Sequence, residues 1–438
     1  MSRVRVLLTV ASAVLLCACT GASVTAPPPG SPVAVPSVQA QGAATAEEAI
    51  RELCVAPDLP EPEPVVTGDL PPQIVDLIAQ VETARGLSFQ HPPAVEAISD
   101  TEMDRKLEVS FDIYYPADLY DRRTVAWRTI GVIDQDADLL EAYRAYLTGQ
   151  VIGFYDPQTG ELVYLGEGEK LGLAERLVLA HELTHALDDQ HFHLKRLDRL
   201  VARCADEAFA ASLGLVEGSA QHFSSAAVLT DPNLDLDEFA QMLADAGRAQ
   251  AALEEVPPFV QALQSWPYVA GQSFVAALAA RGGTETVDAA MEHPPVSTEQ
   301  VIHPELFPSD VPQPVDVADL TGALGPAWGD LDAMQVGEEW LSAMLALRGM
   351  PLTSARAAAG WDGGVYRAFT DGTDVVVVLQ TAWDSEADAQ EFVISMDDWN
   401  EATPGASNVD VKFAGGGVRV VFSTGPDELE TALNALNA

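Results

Sequence analysis

Two histidines one helical turn apart, with a glutamate beside the first, form the pattern in this chain that is best suited to chemistry. Residues 177–187 have the sequence LVLAHELTHAL, which contains the motif HExxH. On a helix, His181 and His185 project from the same face and can reach one tetrahedral Zn²⁺. Glu182 lies at the flank of that face, where its carboxylate can meet a metal-bound water rather than the metal. The pattern predicts a zinc site with Glu182 as general base.

The residues around the two histidines favour a metal site over an ordinary helix surface. Val178, Leu183 and Leu187 are apolar, whereas an amphipathic surface helix would carry charges at several such positions. No Pro or Gly interrupts the run from Ala174 to Phe192, so one continuous helix is predicted. At these residues the chain resembles the zincin metallopeptidases.

Catalytic zinc usually keeps three protein ligands, and two residues compete for the third place. His191 follows His185 at the spacing of the metzincin pattern HExxHxxGxxH, but Asp188 stands where that pattern needs Gly. Glu217 lies between Val and Gly in a predicted apolar helix, residues 205–228. An ionised carboxylate in that setting is costly unless a positive group such as a metal meets it, although the helical phase also allows Glu217 to face solvent. We favour Glu217 as the third ligand.

Supporting roles around such a metal can be assigned to only a few side chains. With a glutamate as third ligand, Asp188 or Asp189 is free to accept a hydrogen bond from a ligand imidazole, and we assign this role to Asp189. A solvated helix end is the alternative. The oxyanion formed during peptide hydrolysis needs a further donor besides zinc. The candidate donors are His303, Tyr155 and His222. We assign His303 as a second catalytic residue, and a structural role for it is the alternative.

A predicted β-hairpin comes directly before the HExxH helix. Residues 151–155 and 162–165 are rich in β-forming side chains and flank the turn sequence DPQTG. In zincins, a strand upstream of this helix lines the cleft and pairs with extended substrate. The position of the hairpin therefore fits peptide binding by strand addition, with an ordinary hairpin as the alternative.

The charge of the chain limits its partners. It has 23 basic and 66 acidic residues, a formal net charge of −43. This charge argues against nucleic acid and anionic membrane surfaces as partners. From about Leu320 the pattern changes to a helix near 331–347 followed by alternating strands and helices, without any His. We expect a second α+β domain there that packs, recognises or shields rather than reacts.

The N-terminus has the features of an export signal. Arg3 and Arg5 precede an apolar core at residues 6–16 that is too short for a stable membrane span. The sequence Leu-Cys-Ala-Cys that follows resembles a bacterial lipobox, which implies lipidation of Cys19 and an extracytoplasmic protein anchored to the cell membrane. Cys17 departs from the usual residue of that motif, so a plain signal peptide and secretion are the alternative.

A Pro/Ala-rich segment at residues 20–46 is expected to be a disordered tether, since it has too little apolar surface to order itself. Two cysteines follow it, Cys54 and Cys204. In an oxidising compartment they can form a disulfide, and two buried free thiols are the alternative.

Several short blocks together resemble a group of secreted bacterial zincin-like proteins. They are GFYDP at 153–157, HELTHAL at 181–187, DQHF at 189–192, LVEG at 215–218 and PPVSTEQVIHP at 294–304. The resemblance covers about Pro71 to Pro308. It implies a thermolysin-like (gluzincin) ligand set of His181, His185 and Glu217, and it implies no particular substrate.

The predicted chain is of the α+β class. A signal segment at 1–19 and the tether at 20–46 precede a mainly helical zincin-like metallopeptidase domain at 47–320 with a small edge hairpin, and a smaller α+β domain occupies 321–438. The expected function is a zinc-dependent endopeptidase acting on peptides or proteins. The alternative is a zincin-shaped binding lipoprotein with a structural or vestigial zinc site. Glu182 favours the enzyme, because a structural site has no use for a carboxylate beside a ligand. The sequence predicts neither the peptide preference nor the oligomeric state.

Overall fold

The computed structural model describes residues 42–58, 70–148, 151–165, 171–230, 234–253, 256–402, 408–414 and 417–437. The predicted signal segment, Cys19 and most of the predicted tether lie outside these ranges. The described residues form many helices and two sheets, so the α+β class is confirmed. None of their helices combines the length and apolarity that crossing a membrane requires.

The elements follow one another through the described ranges, with a short 3₁₀ turn at Leu194–Leu197. In chain order they are α1 (Ala46–Leu53), α2 (Pro72–Arg85), β1 (Ala94–Ile98), α3 (Asp100–Tyr114), α4 (Ala117–Ile130), α5 (Leu139–Thr148), β2 (Gly153–Asp156), β3 (Glu161–Leu165), α6 (Leu173–Phe192), α7 (Asp198–Val201), α8 (Asp206–Leu229), α9 (Leu236–Ala252), α10 (Pro258–Gly282), α11 (Thr284–Glu292), α12 (Thr298–Ile302), α13 (Thr321–Leu324), β4 (Gly329–Gln335), α14 (Glu338–Ala346), α15 (Pro351–Ala358), β5 (Trp361–Thr370), β6 (Val375–Trp383), α16 (Glu386–Glu401), β7 (Asn408–Ala414), β8 (Gly417–Ser423) and α17 (Pro426–Leu436).

The predicted hairpin is formed by β2 and β3, and β2 is the edge of a three-stranded sheet of order β1–β3–β2. The backbone N–H of Leu165 donates to the carbonyl of Ile152 at 2.8 Å. Opposite residues of an antiparallel pair alternate between bonded and non-bonded pairs. The backbone groups of Gly153 and Tyr155 therefore point away from β3, toward the free edge of the sheet.

The helices α8 and α10 touch backbone to backbone. A Cβ added at Gly218 would overlap the backbone of Gly271, and one added at Gly271 would overlap the carbonyl of Gly214. Such an approach needs glycine on both helices. It brings Tyr268, one turn before Gly271 on α10, close to the part of α8 that carries Glu217.

The second sheet has the order β4–β5–β6–β8–β7, with all neighbours antiparallel. One apolar core runs from the helices into this sheet and includes Trp127 of α4, Phe259 of α10, Trp340 of α14 and Tyr366 of β5. The two predicted domains therefore share a core rather than meeting across a polar linker.

Residues 42–46 are packed, although the sequence placed them in the disordered tether. Ala43 and Ala46 are buried. The Ala43 N–H donates to Asp330 at 3.0 Å, and Arg367 donates to the Ala43 carbonyl at 2.8 Å. Small side chains allow the backbone to enter this site, and α1 then continues across β4 and β5. The tether prediction fails for these five residues because the second sheet supplies partners that the local composition does not reveal.

Strand β4 replaces the first part of the helix predicted at 331–347, and only α14 remains of that helix. The segment contains Asp330 and Asp332, both at most 1% exposed. Arg367 binds Asp330 through Nε at 2.6 Å, and the Tyr366 hydroxyl donates to Asp332 at 2.5 Å. Acids that are paired inside a sheet do not show the alternating polarity from which a strand is inferred.

A group of buried acids joins α8, α12 and α14. We call Glu207, Glu299, Glu338 and Glu339 the carboxyl junction; their exposed fractions are 8%, 2%, 2% and 9%. Glu207 accepts hydrogen bonds from the backbone N–H and the hydroxyl of Thr298, at 2.5 and 2.8 Å. Among the described residues, Glu338 is the one acid of the junction with an ion-pair partner: its Oε1 lies 3.0 Å from Nε2 of His303.

Burial raises the pKa values of the junction acids. The pKa of Glu207 rises to about 7, with Glu338 and Asp206 adding like charge, and that of Glu299 rises to about 8, with Glu338, Asp384 and Asp310 nearby. Burial also raises the pKa of Glu338 and, well above its ordinary value, that of Glu339, which faces Glu207. The Glu338 carboxylate raises the pKa of His303. The junction is therefore most stable when its acids are protonated.

We expect the junction to contribute most to the free energy of unfolding below pH 4.5. This contribution should be lost as pH rises through the pKa values of Glu207, about 7, and Glu299, about 8. Because the folded chain holds these protons more tightly than the unfolded chain, rising pH favours unfolding over this window. Denaturant unfolding at pH 5 and pH 8 should show Glu207→Gln to be more stable than the parent at pH 8 only, by on the order of 2–3 kcal/mol. The control is Glu47→Gln, an exposed acid of α1. Parallel pH profiles for the parent and Glu207→Gln would contradict this expectation.

Candidate metal centre

Helix α6 carries the HExxH motif on its buried part. His181 and His185 are 3% and 9% exposed, and their Nε2 atoms lie 3.0 Å apart. Glu217 of α8 places Oε2 3.0 Å from Nε2 of His181 and 3.4 Å from Nε2 of His185. Among the described residues, these three form the one group of His, Cys, Asp or Glu whose donor atoms lie within 4.8 Å of one another. We call them the triad.

The donor atoms of the triad fit a zinc ion. Two imidazole nitrogens and one carboxylate oxygen lie close enough together to share one cation. Two histidines and a glutamate are a known ligand set of catalytic zinc, with a fourth position open for water or substrate. Nδ1 of His181 is buried without a hydrogen-bond partner among the described residues, so it does not engage a neighbouring acceptor.

The side chains of the triad shift one another's pKa values. Burial by itself would raise the pKa of Glu217, but the imidazoles of His185 and His181 hold it well below its usual range. Burial would lower the pKa of His185, yet the Glu217 carboxylate raises it to about 9. Glu217 thus stays ionised although its side chain is only 14% exposed. The solvent-facing alternative for Glu217 does not describe this geometry.

His191 lies apart from the triad. Its Nε2 is 2.8 Å from the carbonyl of Ser88. Helix α6 continues past Asp188 to Phe192, and the first left-handed residue is His193, with φ of 56°. The chain therefore does not turn where the metzincin pattern turns, and His191 points toward α2 rather than back to the other two histidines.

Asp188 instead joins the two helices that carry the triad. It accepts a hydrogen bond from the Ser219 hydroxyl of α8 at 2.6 Å and one from Nε of Arg85 at 2.7 Å. Arg85 is fully buried and also pairs with Asp288 at 2.7 Å. This network fixes α6 against α8 close to the triad.

Asp189 does not occupy the place predicted for it. Its Oδ2 accepts a hydrogen bond from the Tyr155 hydroxyl at 2.7 Å, and its Oδ1 accepts one from the Leu194 N–H at 2.6 Å. Successive side chains on a helix point about 100° apart around its axis. Asp189 therefore points toward the hairpin and away from the imidazoles. The prediction that it supports a ligand imidazole is corrected: Asp189 ties edge strand β2 to the end of α6.

Glu182 lies beside the triad and is 5% exposed. Its Oε2 accepts a hydrogen bond from the backbone N–H of Tyr155 at 2.9 Å. Burial raises the pKa of Glu182, against the opposing effect of the two histidines. A carboxylate with a raised pKa is a better proton acceptor than an exposed one.

A cavity of about 410 Å³ opens onto the triad, Glu182 and β2. Tyr268 of α10 lies on its wall, with its ring centroid 6.0 Å from that of His181 and the two ring planes inclined by 29°. Burial and the nearby carboxylates of Glu217 and Glu182 raise the pKa of Tyr268 well above its ordinary value, so the phenol keeps its proton. From the sequence, Tyr268 is one of several apolar residues of a helix. The contact that gives it a role depends on the glycines of α8 and α10.

Two of the three predicted oxyanion donors are placed elsewhere. His303 binds Glu338 in the carboxyl junction and is not among the residues that line the cavity, so its catalytic assignment is replaced by a structural one. His222 packs edge-on against Phe223 and does not line the cavity either. Tyr155 does line it, but its hydroxyl is bound to Asp189.

The structure joins Cys54 and Cys204 in a disulfide with their Cα atoms 5.7 Å apart. This bond links the end of α1 to the segment that precedes α8.

Comparison with protein-family models matches residues 325–433 to a family described as a domain of unknown function (DUF8575). These residues contain the second sheet, helices α14 to α16 and most of α17, and they begin close to the predicted boundary at 321. No curated protein and no solved structure matches the chain. The match lies outside the helices that carry the triad.

Proposed function

We propose that this protein is a zinc-dependent endopeptidase. The observation that carries the proposal is the meeting of three elements in one cavity: the triad, the buried carboxylate of Glu182 and the free edge of β2. A site that only held a metal would need the triad alone. Among the described residues, neither Lys nor Arg lines the cavity, so no cation is placed to bind a terminal carboxylate. This favours cleavage within a chain over removal of its last residue.

The chemistry follows from what each side chain can do. His181, His185 and Glu217 would hold zinc, which when bound supplies Lewis acidity that acidifies water and polarises a carbonyl. Glu182 takes the proton of the attacking water and delivers it to the leaving amine. The Tyr268 hydroxyl is available to donate a hydrogen bond to the oxyanion of the tetrahedral intermediate.

Substrate alignment is assigned to β2. The backbone groups of Gly153 and Tyr155 face the free edge; the Tyr155 N–H is bound to Glu182, and an extended peptide can add as a further strand at the other groups. The hydrogen bond from the Tyr155 N–H to Glu182 sets the edge strand beside the base. The bond from the Tyr155 hydroxyl to Asp189 holds it there.

Removal of the metal tests the proposal. Purified zinc-loaded protein should cleave an unstructured protein such as casein, chelation should abolish cleavage, and added Zn²⁺ should restore it. Zinc at one hundred times its Kd should also stabilise the fold by about 2.7 kcal/mol, measured as a rise in Tm. One bound zinc per chain without hydrolysis of any peptide would support the alternative of a binding protein with a structural zinc site.

A further inference from the structure

The wall of the cavity is mainly apolar and aromatic. Aromatic side chains line it from three elements: Phe111 and Tyr114 of α3, Phe154 of β2, and Phe209 of α8. Such a surface favours large apolar side chains, because it removes their area from water.

The acids of the wall beyond the triad and Glu182 are Asp156 of the hairpin and Asp198 of α7. Both accept hydrogen bonds from Gln158: Asp156 from its backbone N–H at 2.8 Å, and Asp198 from its side-chain amide. Burial raises the pKa of Asp198, and the carboxylates of Asp156 and Asp189 add to the rise, while exposed Lys195 opposes it.

Tyr114 lines the same cavity as these two acids. Burial raises its pKa, and the charges of Asp198 and Asp156 raise it further. The hairpin, α7 and α3 thus contribute two carboxylates and a phenol to the wall of one cavity. A cationic group placed among them would relieve the repulsion between the acids and find three oxygen acceptors.

The field of the whole chain has the same sign as this part of the cavity. A net charge of −43 attracts cations and repels anions over the length of the screening distance. An acidic peptide would therefore meet repulsion from the chain as a whole and again from the acids on the cavity wall.

We propose that the peptides cleaved at this site are cationic and amphipathic, with large apolar side chains in the aromatic part of the cavity and a lysine or arginine side chain at Asp156 and Asp198. The inference rests on the proposed peptidase function and specifies its substrate class. Apolar contacts provide the binding area, and the two carboxylates select the charge.

Three peptides of equal length with the same Phe-Leu-Phe-Ala centre, flanked by lysine, serine or glutamate, test this inference. For the zinc-loaded protein, kcat/KM should decrease in that order. Salt should lower it for the lysine peptide and leave the serine peptide unaffected. Asp198→Asn and Asp156→Asn should each lower it about three- to tenfold for the lysine peptide alone. Asp76→Asn, an exposed acid of α2, is the matched control and should change nothing.

Binding provides a second readout that does not depend on turnover. Fluorescence anisotropy of the same labelled peptides with zinc-loaded Glu182→Gln should give the same order of affinity. Equal binding of the three peptides, or the same effect of Asp198→Asn on all of them, would overturn the inference while leaving peptidase activity intact. Selective binding of the lysine peptide without hydrolysis by the parent would overturn the peptidase function and keep the charge preference of the cavity.

Discussion

Replacing Glu182 with glutamine is expected to lower peptide hydrolysis by about 10²- to 10⁴-fold while zinc stays bound. Glutamine keeps the size of the side chain and an oxygen that can accept the Tyr155 N–H, but it cannot take a proton from water. The triad is untouched, so its affinity for metal should not change. The measurements are kcat/KM on a casein-derived peptide and zinc content after dialysis.

Glu141→Gln is the matched control, because Glu141 is an exposed acid on α5 and its change should leave both measurements as in the parent. Undiminished turnover in Glu182→Gln would rule out the proposed mechanism. Loss of zinc from that variant would instead mean that Glu182 is a metal ligand.

Glu217→Ala should lose zinc and activity together, whereas His191→Ala should keep both. Mutation of a residue that hydrogen-bonds to a metal ligand changes the affinity for the metal by about 10- to 100-fold. Loss of one of the three ligands themselves should weaken zinc binding by more than that. His191 binds the carbonyl of Ser88 and packs beside Phe192, so its removal should affect the end of α6 and not the triad. Metal analysis after dialysis against a moderate chelator compares the two variants with the parent.

Loss of folding is a separate explanation for an empty Glu217 variant, and Glu217→Gln separates the two. It keeps the shape of the side chain, and circular dichroism of the metal-free proteins shows whether the helices remain. The expected pattern is a folded Glu217→Gln variant with weakened zinc binding. If His191→Ala came out empty and Glu217→Ala remained loaded, the triad would be the wrong ligand set.

The sequence alone pointed to the residues that the structure brings together in the triad. HExxH places two imidazoles by helix geometry alone, and an ionised acid isolated in an apolar helix is costly to bury unless a positive group meets it. Both arguments are local or depend on the cost of a buried charge. They do not require knowledge of which helices are neighbours.

Roles that depend on the packing of neighbours could not be predicted. Asp189 and His303 were assigned to the site from their chemistry, but β2 and α14 supply other partners for them. Tyr268 was not assigned at all, because its approach to His181 follows from the contact between α8 and α10. Strand β4 has no clear pattern in the sequence, because Asp330 and Asp332 look like surface residues until Arg367 and Tyr366 are known to meet them.

The glycines between α8 and α10 also offer a way to sort related sequences. A chain that keeps HExxH and a later glutamate, but has a larger residue at the position of Gly218 or Gly271, must hold these two helices farther apart. Its counterpart of Tyr268 would then fall short of the imidazole, although all three metal ligands remain. The glycine positions thus distinguish chains able to build the whole cavity from chains that have kept only the capacity to hold a metal.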